Sequence, residues 1–339
     1  MDWKELRQIA RGNLKGFCRV CPVCDGRACS GEVPGMGGIG TGSAFRANLQ
    51  ALEKHRVNLR TLHDSKESDT GTEIFGHRIS FPILAAPLTG ASYNMGGKLT
   101  EREFIGAVIK GSRMAGTIGM SGDGADPGFF DSGLEAISEE QGHGIAFIKP
   151  RANQEVIDRI KRVEEAGAPA VGVDVCGAGL IMMAMRGQPV SPKTEGELRE
   201  LISATRLPFI VKGIMTVDEA VIAARVGAAA IVVSNHGGRI LDHAPGAAEV
   251  LSTIAAELKG AVTILADGGV RTGVDALKLL ALGADAVLVG RPMVWGAFGA
   301  GAEGVKLVLE KMGSELKQAM LLTGCSNIKE ISPRVIASF

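Results

Sequence analysis

The chain has 339 residues, 45% of them hydrophobic, and Lys plus Arg equals Asp plus Glu at 37 each. That is enough apolar material for one barrel-sized domain with an extra segment, and a zero net charge without polybasic runs excludes an electrostatic footprint for nucleic acid or a membrane surface. No apolar run approaches the roughly 18 residues that span a bilayer, and the polar, helix-patterned start is not a signal peptide, so the expected compartment is the cytoplasm.

Residues 1–79 form no part of the pattern that follows. They hold a predicted helix over about 2–15, four cysteines (Cys18, Cys21, Cys24 and Cys29), a Gly-rich stretch GEVPGMGGIGTG and a second predicted helix over about 43–54. This segment is too small for an independent domain and is expected to cap what lies beyond. Four of the six cysteines fall within twelve residues. In a cytosolic chain such crowding points to metal binding before disulfides. Four thiolates at these spacings suit a tetrahedral zinc ion or an iron–sulfur cluster, and spacing does not separate the two. The bland alternative is free thiols in a Gly-rich loop.

From residue 80 to 339 a unit repeats: a short apolar run, turn residues, an amphipathic stretch, then Gly and the next run. The predicted strands are 81–86, 115–120, 144–148, 170–174, 208–212, 230–234, 263–267 and 286–290. Near-continuous apolar character is what strands of a buried parallel sheet show. Eight βα units predict an α/β fold closed as a (β/α)8 TIM barrel, with a doubly wound open sheet as the rival. The one long interruption, residues 176–196 after the fourth strand, is expected on the C-terminal face of the barrel over an active site.

Polar residues collect where strands end: Asp174 on the fourth, Lys212 on the fifth, Ser234, Asn235 and His236 on the sixth, Asp267 on the seventh. Any one of these could be a helix cap, but four such strand ends together predict a site. The loops ADGGVRTG and VGRP after strands seven and eight place Asp267, Gly268, Gly269 and Arg271, then Gly290 and Arg291, where barrels tend to hold phosphate. Small residues there expose backbone N–H groups and the guanidiniums fork onto phosphate oxygens. A plain tight turn is the alternative for Gly268-Gly269.

The run Val233-Ser-Asn-His236-Gly-Gly-Arg239-Ile-Leu-Asp242, together with the two phosphate loops, resembles the FMN-dependent α-hydroxy-acid oxidase and dehydrogenase family, which includes glycolate oxidase, lactate oxidase and flavocytochrome b2. The resemblance runs from about residue 80 to 332 and is strongest after 205. It implies oxidation of a small anionic 2-hydroxy acid to the 2-oxo acid with flavin N5 as hydride acceptor. His236 would be the base and Asp174 its partner, while Arg239 would pair with the substrate carboxylate. Lys212 would stabilise negative charge on the flavin. Pro87, Leu88, Thr89, Ser121 and Ser234 match FMN-contacting positions. The resemblance also implies a homo-oligomer, a tetramer or octamer, and an electron acceptor that is either oxygen or a redox carrier.

Three departures stand out. On strand three, Lys149 and Arg151 occupy the places of the family's Gln and active-site Tyr; Lys149 either replaces the Gln at the flavin edge or, with Arg151, suits a more anionic substrate. The only tyrosine, Tyr93, lies elsewhere in the sequence, so both hydroxyls that normally touch substrate are absent. Arg186 is a candidate second carboxylate ligand on position alone. Third, the cysteines stand where the family carries an aromatic segment; a cluster there would make an electron exit and favour a dehydrogenase over an oxidase. The competing readings are an FMN barrel isomerase resembling type 2 isopentenyl diphosphate isomerase, and a flavin-binding barrel with a regulatory role.

Overall fold

The computed structural model describes residues 1–337. Eight parallel strands close on themselves: β1 (Ile83–Leu88), β2 (Gly119–Ser121), β3 (Gly144–Ile148), β4 (Val171–Asp174), β5 (Phe209–Ile214), β6 (Ala230–Val233), β7 (Thr263–Ala266) and β8 (Ala286–Val289), with β8 pairing back onto β1. The barrel expectation therefore holds and the open sheet is set aside. All eight predicted runs contain or overlap a strand, and β3 matches residue for residue.

Because side chains alternate across a strand, every second residue points into the barrel. Leu84, Ala86, Met120, Ile145, Phe147, Ile210, Val232, Leu265 and Leu288 pack there as one cluster. A two-stranded hairpin, Thr72–Ile74 paired with His77–Ile79, lies ahead of β1. Its Ile74 and Ile79 join the same inner cluster, so it caps the barrel interior. No sequence signal announces it, since strands of three residues carry too little alternation to detect.

The first helix (Trp3–Asn13) packs on the closing helical segment (Arg291–Leu321), at the kink over Ala300 and Gly301, where Leu6 lies against Gly299 and Gly304. Residues 35–48 then run across the C-terminal face. Ile39 N donates to Gly238 O at 2.9 Å, and the Asp242 carboxylate accepts from Thr41 N and Ser43 N. The segment is thus a wall of the site rather than an appendage. Among the described residues no helix is long and apolar enough to cross a membrane.

Candidate active site

Continuing the inward alternation past the apolar layers reaches Leu88, Gly122, Lys149, Asp174, Lys212, Ser234, Asp267 and Gly290. All of these except Ser234 line one pocket at the C-terminal mouth. Parity explains the polar strand ends better than helix capping does. It also corrects one expectation: Ser121 is off by one residue. Its side chain points outward, its Oγ 2.7 Å from where a Cβ on Gly133 would stand, so Gly122 faces the pocket instead. A shift of one residue reverses the face.

At the centre sits Asp174. Its Oδ1 lies 3.3 Å from His236 Nδ1 and 3.5 Å from Lys212 Nζ, and its Oδ2 accepts from Lys149 Nζ at 2.5 Å. Burial opposes its charge, but the Lys149 and Lys212 ammonium groups, helped by a hydrogen bond from His236, outweigh burial and hold the carboxyl well below its usual range. Burial drives His236 the other way, to about 4, despite the opposing pull of Asp174. At neutral pH the imidazole is therefore uncharged, and it is the two ammonium groups that keep Asp174 ionised. An ionised acceptor beside Nδ1 fixes the proton there and leaves the Nε2 lone pair free, so the ring is poised as a base. His236 itself is held at φ 58, a conformation that non-glycine residues seldom adopt.

Ser234 works beneath this layer. Its Oγ donates to Asp267 Oδ2 at 2.8 Å and accepts from Lys212 Nζ and from the His236 backbone N–H. It orders the cluster without lining the pocket. Burial tends to neutralise Lys212, but Asp174 and Asp267 prevail and its pKa is raised.

Arg239 also faces the pocket. It donates to the carbonyls of Gly35 and Gly37 and to Asn94 Oδ1, with no carboxylate among its partners. Burial lowers its pKa to about 10. A guanidinium at this position without a counter-charge is a receptor for an anion. Further round the rim, Arg271 and Arg291 lie close enough that, after burial, Arg271 is the next largest influence lowering Arg291 to about 9. Neither makes an ion pair with an acid among the described residues. Two adjacent, uncompensated guanidiniums call for a multiply charged anion.

These residues fit FMN. Asp267 Oδ1 and Arg271 Nε are buried without a hydrogen-bond partner, an acceptor and a donor at the positions where a sugar-alcohol hydroxyl and a phosphate would find them. Gly268 adopts φ 97 and a Cβ there would meet Asn48 Oδ1 at 2.4 Å, so only glycine lets this loop pass. Pro87, Leu88, Thr89, Gly269 and Gly290 line the same pocket.

Other expected residues are placed elsewhere. Arg151 is buried but turned away: its Nε donates to Asp123 Oδ2 at 3.0 Å, its Nη2 to Gly124 O, and it does not line the pocket. An ion pair with a buried carboxylate has consumed its charge. Arg186 is exposed, stacked 4.5 Å from the Tyr93 ring centroid, and does not line the pocket either. The four sulfurs are not gathered at the spacing of a zinc site. Tetrahedral zinc with Zn–S near 2.3 Å sets sulfurs about 3.8 Å apart, yet among the described residues no three of these sulfurs lie within 4.8 Å of one another. Cys18 turns into the core, Cys24 toward Arg271, and Val20 between Cys18 and Cys21 bends the chain at φ 44.

Several residues escaped the sequence reading. Tyr93 does reach the pocket, from the short helix after β1, with the Phe129 ring 5.2 Å away. Cys176 Sγ sits 3.1 Å from Asp174 Oδ1 and 3.2 Å from His236 Nδ1. Glu101 accepts from Thr89 Oγ1 at 2.7 Å and from the N–H groups of Gly90 and Ala91, which fixes the loop after β1. Asp123 accepts from the Lys149 backbone N–H. Only a polar residue just after a strand could have signalled Asp123; the others need the fold.

Comparison with known proteins gives a consistent picture. A family model described as FMN-dependent dehydrogenase matches residues 35–188 and 181–338. The 4-hydroxymandelate oxidase of Amycolatopsis orientalis is 34% identical, over 89% of this chain and 94% of that one. The 2-hydroxyacid oxidase 2 of Rattus norvegicus is 32% identical, over 87% of this chain and 90% of its own. A crystal structure of a mandelate oxidase with 2-hydroxy-phenylacetamide superposes with a TM-score of 0.81 at 31% identity, covering 98% of this chain and 97% of that chain. With this geometry and these matches, the chain belongs to the FMN-dependent dehydrogenase family.

Proposed function

We propose that this protein oxidises a 2-hydroxy acid to the 2-oxo acid with FMN. The observation that carries the reading is a neutral His236, held by an ionised Asp174, in the same pocket as the carboxylate-free Arg239. Bound FMN supplies the two-electron acceptor. Asp267, Arg271 and Arg291 would hold its polar end, and the Pro87–Leu88–Thr89 loop, braced by Glu101, lines the same pocket.

Each protein group then has one task. Arg239 receives the substrate carboxylate and so fixes which atom faces His236. His236 Nε2 takes the proton that the substrate gives up, and Asp174 stabilises the imidazolium this creates. Lys149 and Lys212 present ammonium groups on the pocket floor, where they counter negative charge delivered with the electrons.

The substrate side of the pocket is apolar, lined by Met36, Tyr93, Phe129, Leu180 and Met182. Tyr93 makes no side-chain hydrogen bond to protein among the described residues, so its hydroxyl is available to a ligand. This lobe favours a 2-hydroxy acid with a bulky, aryl-type side chain over glycolate or lactate, in keeping with the mandelate oxidases among its relatives.

The test is anaerobic bleaching of the bound flavin by a panel of 2-hydroxy acids. Bleaching should occur and be fastest for aryl members. Intact flavin absorbance with every member of the panel overturns the assignment. Reoxidation in air, compared with reoxidation by a one-electron dye, then distinguishes oxidase from dehydrogenase.

A further inference from the structure

The catalytic reading leaves the cysteine segment without a task. Cys18, Cys21, Cys24 and Cys29 are all free thiols. They lie on the wall that covers the phosphate end of the pocket. Arg271 Nη2 sits 3.4 Å from Cys24 Sγ, and Arg291 Nε donates to Met36 O at 2.9 Å, a few residues beyond Cys29. The guanidiniums that line the pocket on one side thus meet the cysteine segment on the other.

The segment is built as a cradle rather than a loose loop. Arg7 clamps its backbone by donating to the carbonyls of Val20 and Cys21. Val20 is held at φ 44, a strained setting for a β-branched residue that needs surrounding structure to maintain it. The Cys18 and Cys29 thiols lie within electrostatic reach of each other and of Cys24. Independently, the Trp295 indole N–H is buried at 3% exposure and has no hydrogen-bond partner, although it faces the Cys18 thiol. A buried orphan donor aimed at sulfur is costly unless something more negative than a thiol stands there.

We propose that Cys18, Cys21, Cys24 and Cys29 are the thiolate ligands of an iron–sulfur cluster that pins the N-terminal segment over the FMN phosphate site. The sulfurs are too dispersed for a single tetrahedral ion, as shown above, whereas a polynuclear cluster gives each cysteine its own iron and spans a wider cage. Cys-x2-Cys-x2-Cys-x4-Cys is close to spacings that hold such clusters. The surroundings suit an anionic centre: Arg7, Arg271 and Arg291 border it, and the Trp295 N–H would donate to a cluster or cysteine sulfur.

The test uses holoenzyme purified without oxygen from iron-replete cells. Iron and acid-labile sulfide should be present in equal amounts, about four of each per chain, with a broad visible absorbance beneath the flavin bands. Cys24→Ser should lose most of the iron and sulfide and release FMN more readily on dilution; Cys325→Ala, remote from the segment, should lose neither. If Cys24→Ser fails to fold, chemical removal and rebuilding of the cluster in the wild-type protein replaces it: the visible absorbance should leave and return with added ferrous iron and sulfide. Stoichiometric zinc in place of iron, or a metal-free protein whose four thiols all react with a thiol reagent, overturns the proposal. Flavin bleaching by 2-hydroxy acids is read separately, so failure of the cluster leaves the catalytic assignment standing, and the converse.

Discussion

Replacing Asp174 by Asn removes the charge opposite His236 with little change of shape. At the observed 3.3 Å between Oδ1 and Nδ1, a unit charge pair in an effective dielectric near 20 interacts by about 5 kcal/mol. If half of the imidazolium charge has developed in the transition state, about 2.5 kcal/mol is lost, roughly 70-fold in rate. Asn adds a second penalty, because its amide N–H can face Nδ1 and move the imidazole proton to Nε2, the atom that must accept. A tautomer error of this kind costs up to about ten-thousandfold in a related triad geometry. The expected drop in the rate constant for anaerobic flavin reduction is therefore about a hundred- to ten-thousandfold. FMN should be retained, because the substitution makes the pocket more positive and leaves Arg271 and Arg291 untouched. Stopped-flow bleaching at full flavin occupancy measures it. A rate within fivefold of wild type would refute both the tautomer argument and the role of His236.

Other outcomes follow from the same geometry. Since the active His236 is neutral with a pKa near 4, kcat/KM should stay flat down to well below pH 6.5 and fall only near pH 4; an acid limb at 6.5 contradicts the burial argument. The linked stability has a definite sign: the unfolded chain takes up this proton first as pH falls below about 6.5, so stability drops between 6.5 and 4 by about 3 kcal/mol from this group alone, measurable by urea titration at stepped pH. Arg291→Met should weaken FMN binding about 10- to 100-fold through loss of charged hydrogen bonds, read from the fluorescence of released flavin; unchanged affinity in this and the Arg271→Met variant places the phosphate elsewhere. Gly273→Ala would bring a Cβ within 2.2 Å of Met312 O and 2.3 Å of Leu316 N, both backbone atoms, and should cost about 1–3 kcal/mol. In contrast, Gly106→Ala, with nothing within 4 Å in mid-helix, should stabilise by up to about 1 kcal/mol; thermal melts compare the two.

The barrel was legible because its strands are apolar runs bounded by glycine, and composition alone carries that signal. Which side of a strand a residue faces was not equally legible. Strand two is short, so its parity could not be read, and Ser121 was expected where Gly122 lies. Arg151 shows a second limit. Its charge was visible in the sequence, but its partner Asp123 comes from another loop and reaches it only through the fold. Tyr93 shows the converse. Sequence position set it apart from the site, yet the turn after β1 returns it to the pocket beside Phe129. Residues that act by contact along one strand end, such as Asp174, Lys212 and Asp267, could be read; those that act by closure between loops, such as Glu101, Asn94 and Cys176, could not.

Lys149 brings these points together, because it is the charge this chain carries where the resembled family has Gln. Asp123 is neutralised by Arg151 and Arg159 from behind the pocket. Of the remaining charged side chains lining the pocket, Lys149, Lys212, Arg239, Arg271 and Arg291 are cationic and only Asp174 and Asp267 are acidic. The surplus is three positive charges. A phosphate monoester contributes nearly two negative charges at neutral pH and a substrate carboxylate one more, so the surplus is met only when cofactor and substrate are both present. Without Lys149 the pocket would be balanced with one charge fewer, and its ammonium is also among the influences that lower His236. Lys149→Gln should therefore do two things at once: raise KM for the anionic substrate, and move the acid limb of kcat/KM upward toward 6.5. A variant that merely loosened the fold would weaken FMN binding without moving the limb. A limb that stays in place or moves down, with FMN fully bound, would show that Lys149 serves Asp174 alone and takes no part in the charge balance of the pocket.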